Sequence, residues 1–134
     1  MPHNVFTYGS LMFAPVWSRV VAGAYRQVPA RLDGFDRFAV VGELYPGAVP
    51  AAGGRLDGML YLAVDDADVA RLDDFEGAEY RRDSVTVVAA DGSTHTAETY
   101  VYLPVDRLAP AAWVPDAFAL DRFLATYVRD HAPR

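Results

Sequence analysis

The sequence predicts an α+β fold: a small mixed, mainly antiparallel β-barrel of about six strands with two to three peripheral helices, in one domain over residues 1–134. Three observations predict it. About six stretches are rich in Val, Thr, Tyr and Phe and are bounded by Gly, Pro or Asp-Gly. The helical stretches fall among them in irregular order, without the strand–helix–strand rhythm of a doubly wound sheet. The chain has 134 residues, 52% of them apolar, which is enough to bury one substantial core.

The elements follow in order. Val5-Phe6-Thr7-Tyr8 reads as a strand that Gly9-Ser10 breaks. Pro15 suits a first helical turn, Val16, Val20 and Val21 form an apolar stripe, and Gly23 is the stop. Residues 25–32 and 35–41 are strand-like and divided by Asp33-Gly34. Glu43 to Gly54, rich in Pro, Gly and Ala, reads as a loop that walls or covers a site, because no polar tract marks it as a linker. Leu56 to Val64 is strand-like, with Gly58 as a bulge. Asp65-Asp66 caps a helix running to Phe75, with Val69, Leu72 and Phe75 on one face and Gly77 as its stop. Residues 83–90 and 94–103 flank Asp91-Gly92, a hairpin signal. Residues 104–115 form a second Pro-rich loop containing Trp113. Asp116 caps a last helix in which Ala117, Leu120, Leu124 and Tyr127 recur at helical spacing.

Composition narrows the function. The formal charge is −6, opposite to the balance of phosphate-backbone binders, so no nucleic-acid partner is expected. No apolar run reaches the length of a membrane-spanning helix, and Met1-Pro2-His3-Asn4 lacks a basic leader; a cytoplasmic protein without a membrane partner is expected. There is no Cys, hence no disulfide, thiolate metal site or Cys nucleophile. All 12 basic residues are Arg, which excludes a Schiff-base lysine.

Two stretches carry chemistry. Tyr8-Gly9-Ser10-Leu11-Met12 is a glycine turn ahead of a helix start. Such a turn ordinarily just reverses the chain, but its backbone N–H groups can also hold a carboxylate or an oxyanion. Ser10 adds a hydroxyl donor and is a poor nucleophile, since no Gly-x-Ser-x-Gly elbow surrounds it. His3, His95 and His131 show no triad spacing. The other stretch is Leu72-Asp73-Asp74-Phe75-Glu76-Gly77. A Glu is ordinarily solvated, yet Glu76 sits at a helix C-terminus beside Asp73 and Asp74, near Phe75 and Tyr80. The helix dipole, the like charges and burial all penalise its ionisation and suit it to general acid/base work. Metal binding by Asp73, Asp74 and Glu76 is disfavoured, because they lie too close in sequence to converge and no His accompanies them. A glycosidase pair is disfavoured too: Glu43, Asp57 and Glu98 offer no clear opposite partner. Tyr45, Tyr61, Tyr100 and Tyr102 form an aromatic set. Tyr100 and Tyr102 face the same side of a strand, one at least as core and the other as pocket wall. Trp113 reads equally as core or pocket rim. Arg81 or Arg82 is placed to neutralise Asp73 and Asp74.

With those residues in view, the chain resembles the γ-glutamylcyclotransferase-like family, in particular its AIG2-like branch with the γ-glutamylamine cyclotransferases. The likeness rests on Val5–Met12, Tyr45-Pro46-Gly47-Ala48-Val49-Pro50, Gly58-Met59-Leu60-Tyr61 and Leu72–Arg82, with Tyr100-Val101-Tyr102 fitting as well. The resemblance implies a small mixed barrel with flanking helices. It implies cofactor-independent closure of a γ-glutamyl amide or peptide to 5-oxoproline with release of an amine or amino acid. Glu76 takes the acid/base role, and Tyr8, Gly9, Ser10 and Leu11 the holding of the γ-glutamyl group, with Tyr102 added to the substrate set. A monomer or homodimer is expected. Two alternatives stay open: a non-catalytic module that binds a small ligand in the same cavity, and a biosynthetic enzyme that removes a γ-glutamyl protecting group.

Overall fold

The computed structural model describes residues 2–113. The helix expected after Asp116 lies outside the described residues. Strand β1 spans His3–Thr7, β2 Gln27–Val40, β3 Pro46–Val64, β4 Tyr80–Ala89, β5 Thr94–Tyr102 and β6 Leu108–Ala112. Helix α1 spans Ala14–Val20 and α2 Asp66–Glu76, and short 3₁₀ turns cover Ser10–Met12 and Val105–Arg107. The strand order is β3-β1-β5-β4-β2-β6, and β2 pairs back onto β3. Five strands therefore close into a barrel, and β6 adds to β2 outside the ring. The β1–β5 pairing is parallel and every other pairing antiparallel, so the sheet is mixed and mainly antiparallel.

Side-chain alternation along the strands separates two apolar sets. Phe6, Leu32, Leu56, Leu60, Val87 and Ala97 come from all five barrel strands and fill the interior. Val5, Tyr61, Val64 and Tyr100 point the other way and meet Val16, Trp17 and Val20 of α1 and Val69 and Leu72 of α2. Trp17 stacks on Tyr61 with ring centroids 3.6 Å apart. The helices thus cover the face of the barrel from which β1 runs into the glycine turn.

The start of α2 follows the expected chemistry: Asp65 accepts from the Asp68 N–H at 2.8 Å, and Gly77 ends the helix at a φ of 80°, where a side chain would be strained. α1 ends at Val20 with Val21 as its cap, ahead of the expected stop at Gly23. The Ala22 and Gly23 N–H groups turn instead to the Asp68 carboxylate, at 2.8 and 2.9 Å.

Three expectations about loops are corrected. Residues 46–54, expected in a wall or lid loop, belong to β3, where they pair with the second half of β2, from Phe35↔Pro50 to Ala39↔Pro46. Asp33-Gly34 does not end a strand; β2 runs through it with a register shift, and Gly34 takes a φ of 87°. Residues 108–112 of the second Pro-rich loop form β6, which pairs with β2 at Phe38↔Ala112 and Val40↔Leu108. Gly58 is in register opposite Ala30 and is no bulge. Among the described residues no helix is long and apolar enough to cross a membrane.

Candidate active site

Val69 and Leu72 anchor α2 against the barrel. Glu76, one turn beyond Leu72, lies on the same face of the helix at its last position. It lines a cavity that Tyr8, Gly9, Ser10 and Leu11 line as well. The two motifs singled out by sequence, far apart in the chain, meet there. Thr7, Tyr45, Pro46, Tyr80 and Tyr100 complete most of the lining.

Glu76 is partly exposed and lines this cavity. Among the described residues it makes no hydrogen bond and no ion pair. Burial, and then the charge of Asp73, push its carboxyl up to about 8. Asp68, two turns earlier on the same helix, is the contrast. It is more deeply buried, which alone would raise it. Hydrogen bonds from the Ala22 N–H, the Tyr25 hydroxyl, the Gly23 N–H and Arg71 bring it down to about 2 instead. The hydrogen bonds that hold Asp68 down have no counterpart at Glu76 among the described residues, where burial is the leading influence. The expected cause was partly different: burial outranks the like charges, and Asp73 rather than Asp74 supplies the neighbouring charge.

Asp73 is itself engaged. Tyr100 donates its hydroxyl to Asp73 Oδ1 at 2.7 Å, and Arg82 Nε approaches the same oxygen at 3.1 Å. Arg82 Nη1 reaches Glu98 at 2.6 Å, and Glu98 meets His3 at 2.5 Å. Arg82 is thus the arginine that neutralises the Asp73 charge, whereas Arg81 pairs with Asp83.

The tyrosine walls are fixed through their hydroxyls. Tyr8 donates to the Tyr100 carbonyl at 2.5 Å and Tyr80 to the Pro46 carbonyl at 2.7 Å. Burial, then the nearby Glu76 carboxylate, raise the phenols of Tyr8 and Tyr80. Burial, then its bond to Asp73, raise that of Tyr100. These rings offer apolar surface and no easily ionised group.

The turn is built as a 3₁₀ turn. Met12 N–H donates to the Gly9 carbonyl at 3.0 Å and Phe13 N–H to the Ser10 carbonyl at 3.1 Å. α1 begins at Ala14 with Pro15 in its first turn, as expected, so a helix start follows the glycine turn. Among the described residues the N–H groups of Gly9, Ser10 and Leu11 and the Ser10 hydroxyl make no hydrogen bond. Gly9, Ser10 and Leu11 line the cavity together with Glu76, so their donors are available to it. Such donors suit an anion or a carbonyl oxygen, as the carboxylate suits an ammonium.

Tyr102, expected in the substrate set, does not line the cavity. It pairs in register with Tyr80, and that ring stands beside it at 5.2 Å. Gly47 packs against its other side. Tyr102 is core, and Tyr100 is the wall. Trp113 is also buried outside the cavity lining, its Nε1 donating to the Leu44 carbonyl at 3.0 Å. The lining roles of Thr7 and Phe6 were missed; both precede the glycine turn in a strand that reads simply as core. Among the described residues, no three His, Asp or Glu side chains are grouped as metal ligands would be.

A closed five-strand mixed barrel with a glycine turn at the end of β1 and two helices packed outside is the fold of γ-glutamylcyclotransferase-type proteins. A solved structure titled γ-glutamyl cyclotransferase shares it, with a TM-score of 0.64 over 76% of this chain and 67% of that one, at 19% identity. The chain belongs to the family described as γ-glutamyl cyclotransferase, AIG2-like, whose sequence profile matches residues 5–115. AIG2-like protein D of Arabidopsis thaliana is 34% identical over 75% of this chain. The solution structure of another Arabidopsis thaliana protein superposes with a TM-score of 0.71 at 29% identity, covering 96% of this chain and 84% of that one. The chain spans 66% of the length of AIG2-like protein D and 64% of that of a second curated relative, AIG2 C.

Proposed function

We propose that this protein is a cofactor-independent γ-glutamyl cyclotransferase that converts a γ-glutamyl amide to 5-oxoproline and a free amine. One observation carries the reading: Glu76 is a carboxylate without a protein partner among the described residues, pushed up to about 8, in a cavity that the Tyr8–Leu11 turn also lines. Membership of the family supports it.

The substrate brings its own nucleophile, so the protein's task is to fold it into attack geometry. The Gly9, Ser10 and Leu11 N–H groups hold the α-carboxylate or the oxygen of the carbonyl under attack. The α-ammonium, which ordinarily titrates near about 8, faces Glu76. Its charge favours the carboxylate form of Glu76 and draws the pair together. Glu76 takes one proton from the ammonium. The freed nitrogen lone pair forms a bond to the γ-carbonyl carbon and closes the five-membered ring. The amide C–N bond then breaks as Glu76 returns its proton to the leaving nitrogen; the ring nitrogen gives up its second proton, which Glu76 passes on in turn, so the amine leaves as an ammonium and Glu76 is again a carboxylate. Both nitrogens are attached to the same carbon during the reaction, so one carboxylate serves both transfers. The tyrosine walls keep water away and strengthen each electrostatic contact.

The test is incubation with a panel of γ-glutamyl amides, peptides and polyamine conjugates, with 5-oxoproline followed by mass spectrometry. Turnover of at least one is expected. Glu76→Gln should keep the fold and lose about 10²–10⁴-fold in rate, the usual worth of a general base. Binding without release of any amine would leave a ligand-binding module, and unchanged turnover in Glu76→Gln would remove Glu76 from the chemistry.

A further inference from the structure

Arg37 lies outside the cavity lining but touches the turn from behind. It sits on β2 opposite Ala48 of β3. Its Nη1 donates to the Tyr8 carbonyl at 2.5 Å and to the Asp57 carbonyl at 3.2 Å. The guanidinium lies 5.5 Å from the centre of the Trp113 ring, a cation–π distance. Trp113 is buried and held by its bond to Leu44, so the guanidinium has a rigid backing. Arg37 is itself half-buried, and burial lowers its pKa. Its charge is therefore poorly screened where it meets the carbonyl.

The Tyr8 carbonyl and the Gly9 N–H are the two ends of one planar peptide group. A cationic donor on the oxygen draws electron density through that group and leaves the N–H more positive; hydrogen bonds in series polarise one another in this way. Gly9 lines the same cavity as the Glu76 carboxylate, which has no partner among the described residues. Among the described residues that line the cavity there is no Arg or His. A positive charge placed behind the peptide supplies attraction for an anionic group without standing beside Glu76, where it would lower the pKa of that carboxyl and repel a substrate ammonium.

We infer that Arg37 is a positioning residue for the anion-holding turn: through the Tyr8 carbonyl it fixes the Tyr8–Gly9 peptide plane and strengthens the Gly9 N–H as a donor to a substrate carboxylate or oxyanion. The inference rests on the functional reading above for the identity of the anion, but its local electrostatics stand apart from it.

The test compares Arg37→Met and Arg37→Lys with the wild type. The first reading is the ¹H–¹⁵N resonance of Gly9 in the free protein. It should move upfield in Arg37→Met, and less in Arg37→Lys, which keeps a cationic donor. The second is KM and kcat for the best γ-glutamyl amide, with affinity for 5-oxoproline. In Arg37→Met, KM and the 5-oxoproline Kd should rise roughly tenfold, the size of one ordinary hydrogen bond. Arg37→Lys should restore part of the loss, and the pH at which activity rises should stay put. A Gly9 resonance unmoved in Arg37→Met overturns the inference, as does an affinity within twofold of wild type. Equal losses in both variants, tracking a fall in melting temperature, also overturn it, because they report packing alone. If Arg37→Met does not fold, Arg37→Lys decides through the Gly9 resonance: movement supports the inference and none overturns it. A wild-type protein that binds no γ-glutamyl compound defeats the functional reading instead, and the Gly9 resonance still judges Arg37.

Discussion

Glu76 and Asp68 lie on one helix and differ in what surrounds their oxygens. Asp68 collects donors from α1's exit and from Tyr25, and its carboxyl falls to about 2. Glu76 collects none among the described residues, and its carboxyl rises to about 8. A structural carboxylate is satisfied by its own protein; a working one is left for the substrate to satisfy. On the proposed mechanism this difference sets the pH dependence of turnover. The rate at low substrate should climb as Glu76 loses its proton and fall as the substrate ammonium loses its own, ordinarily near about 8, so kcat/KM should peak near about pH 8. The rising limb of kcat should lie at lower pH, because in the complex the ammonium favours the ionised Glu76. Asp73→Asn tests the cause. The side-chain carbonyl of Asn still accepts the Tyr100 hydroxyl, while the charge that raises Glu76 is gone. The rising limb should move down by about half a pH unit to one pH unit, as expected for removal of a like charge. An unmoved limb means that burial alone sets the Glu76 pKa.

At the scale of elements, what was legible in the sequence was what is encoded locally. The cap at Asp65, the stop at Gly77, the Asp91-Gly92 hairpin and the β1–glycine-turn boundary are signals within a few residues, and the fold carries each of them. The meeting of Glu76 with the turn was legible as an expectation, from two motifs with matching chemistry. The first half of β3 was not. Pro46, Gly47, Pro50, Gly53 and Gly54 read as loop, since Pro and Gly are poor strand formers. Their use here is tertiary: Pro46 packs on Gly9, and Gly47 lies against the Tyr102 ring. Pairing with β2 then overrides local preference. Arg37 was illegible for the same reason, because its role depends on the turn that the fold brings to it. Gly58 shows the strength of such a constraint. A Cβ there would stand 2.1 Å from the Thr7 carbonyl and 2.8 Å from the Phe6 ring, both in the barrel wall. Gly58→Ala should destabilise by about 2–4 kcal/mol through overpacking. That predicts a fall of about 10 °C in melting temperature. Gly92→Ala, at a φ of 87° with no atom within 4 Å, is the control and should cost about 1–2 kcal/mol from backbone strain alone. Equal costs would mean that the β1–β3 approach is looser than the packing implies.

For the whole molecule, the two carboxylates of α2 bound stability from opposite sides. Asp68 is depressed, so its contribution is present above its unfolded pKa near 3.8 and is lost as pH falls through about 2. Glu76 is raised. Between its unfolded value near 4.5 and its folded value near 8, the folded state binds more protons than the unfolded chain. Its contribution is therefore complete below 4.5 and disappears as pH rises through 8. The net charge works in the same direction, since the chain is near neutral at its pI of about 4.8 and carries −6 at pH 7. The melting temperature should peak between about pH 4 and 5 and decline toward about pH 9, below the range in which the proposed chemistry runs fastest. Glu76→Gln separates the two causes. Gln cannot ionise, so the variant should match wild type at about pH 4.5 and exceed it by up to about 5 kcal/mol at about pH 9, since each pH unit between the folded and unfolded pKa is worth about 1.4 kcal/mol. The residual decline in the variant measures the effect of net charge. Thermal melts of both proteins from about pH 4.5 to 9 decide the matter. Parallel curves would show that water or a rotated side chain relieves Glu76 in solution, and the functional reading would lose its carboxylate poised near neutral pH. Diverging curves would show that the fold surrenders stability at alkaline pH to keep one acid unsatisfied, a trade that fits a working site and has no use in a purely structural one.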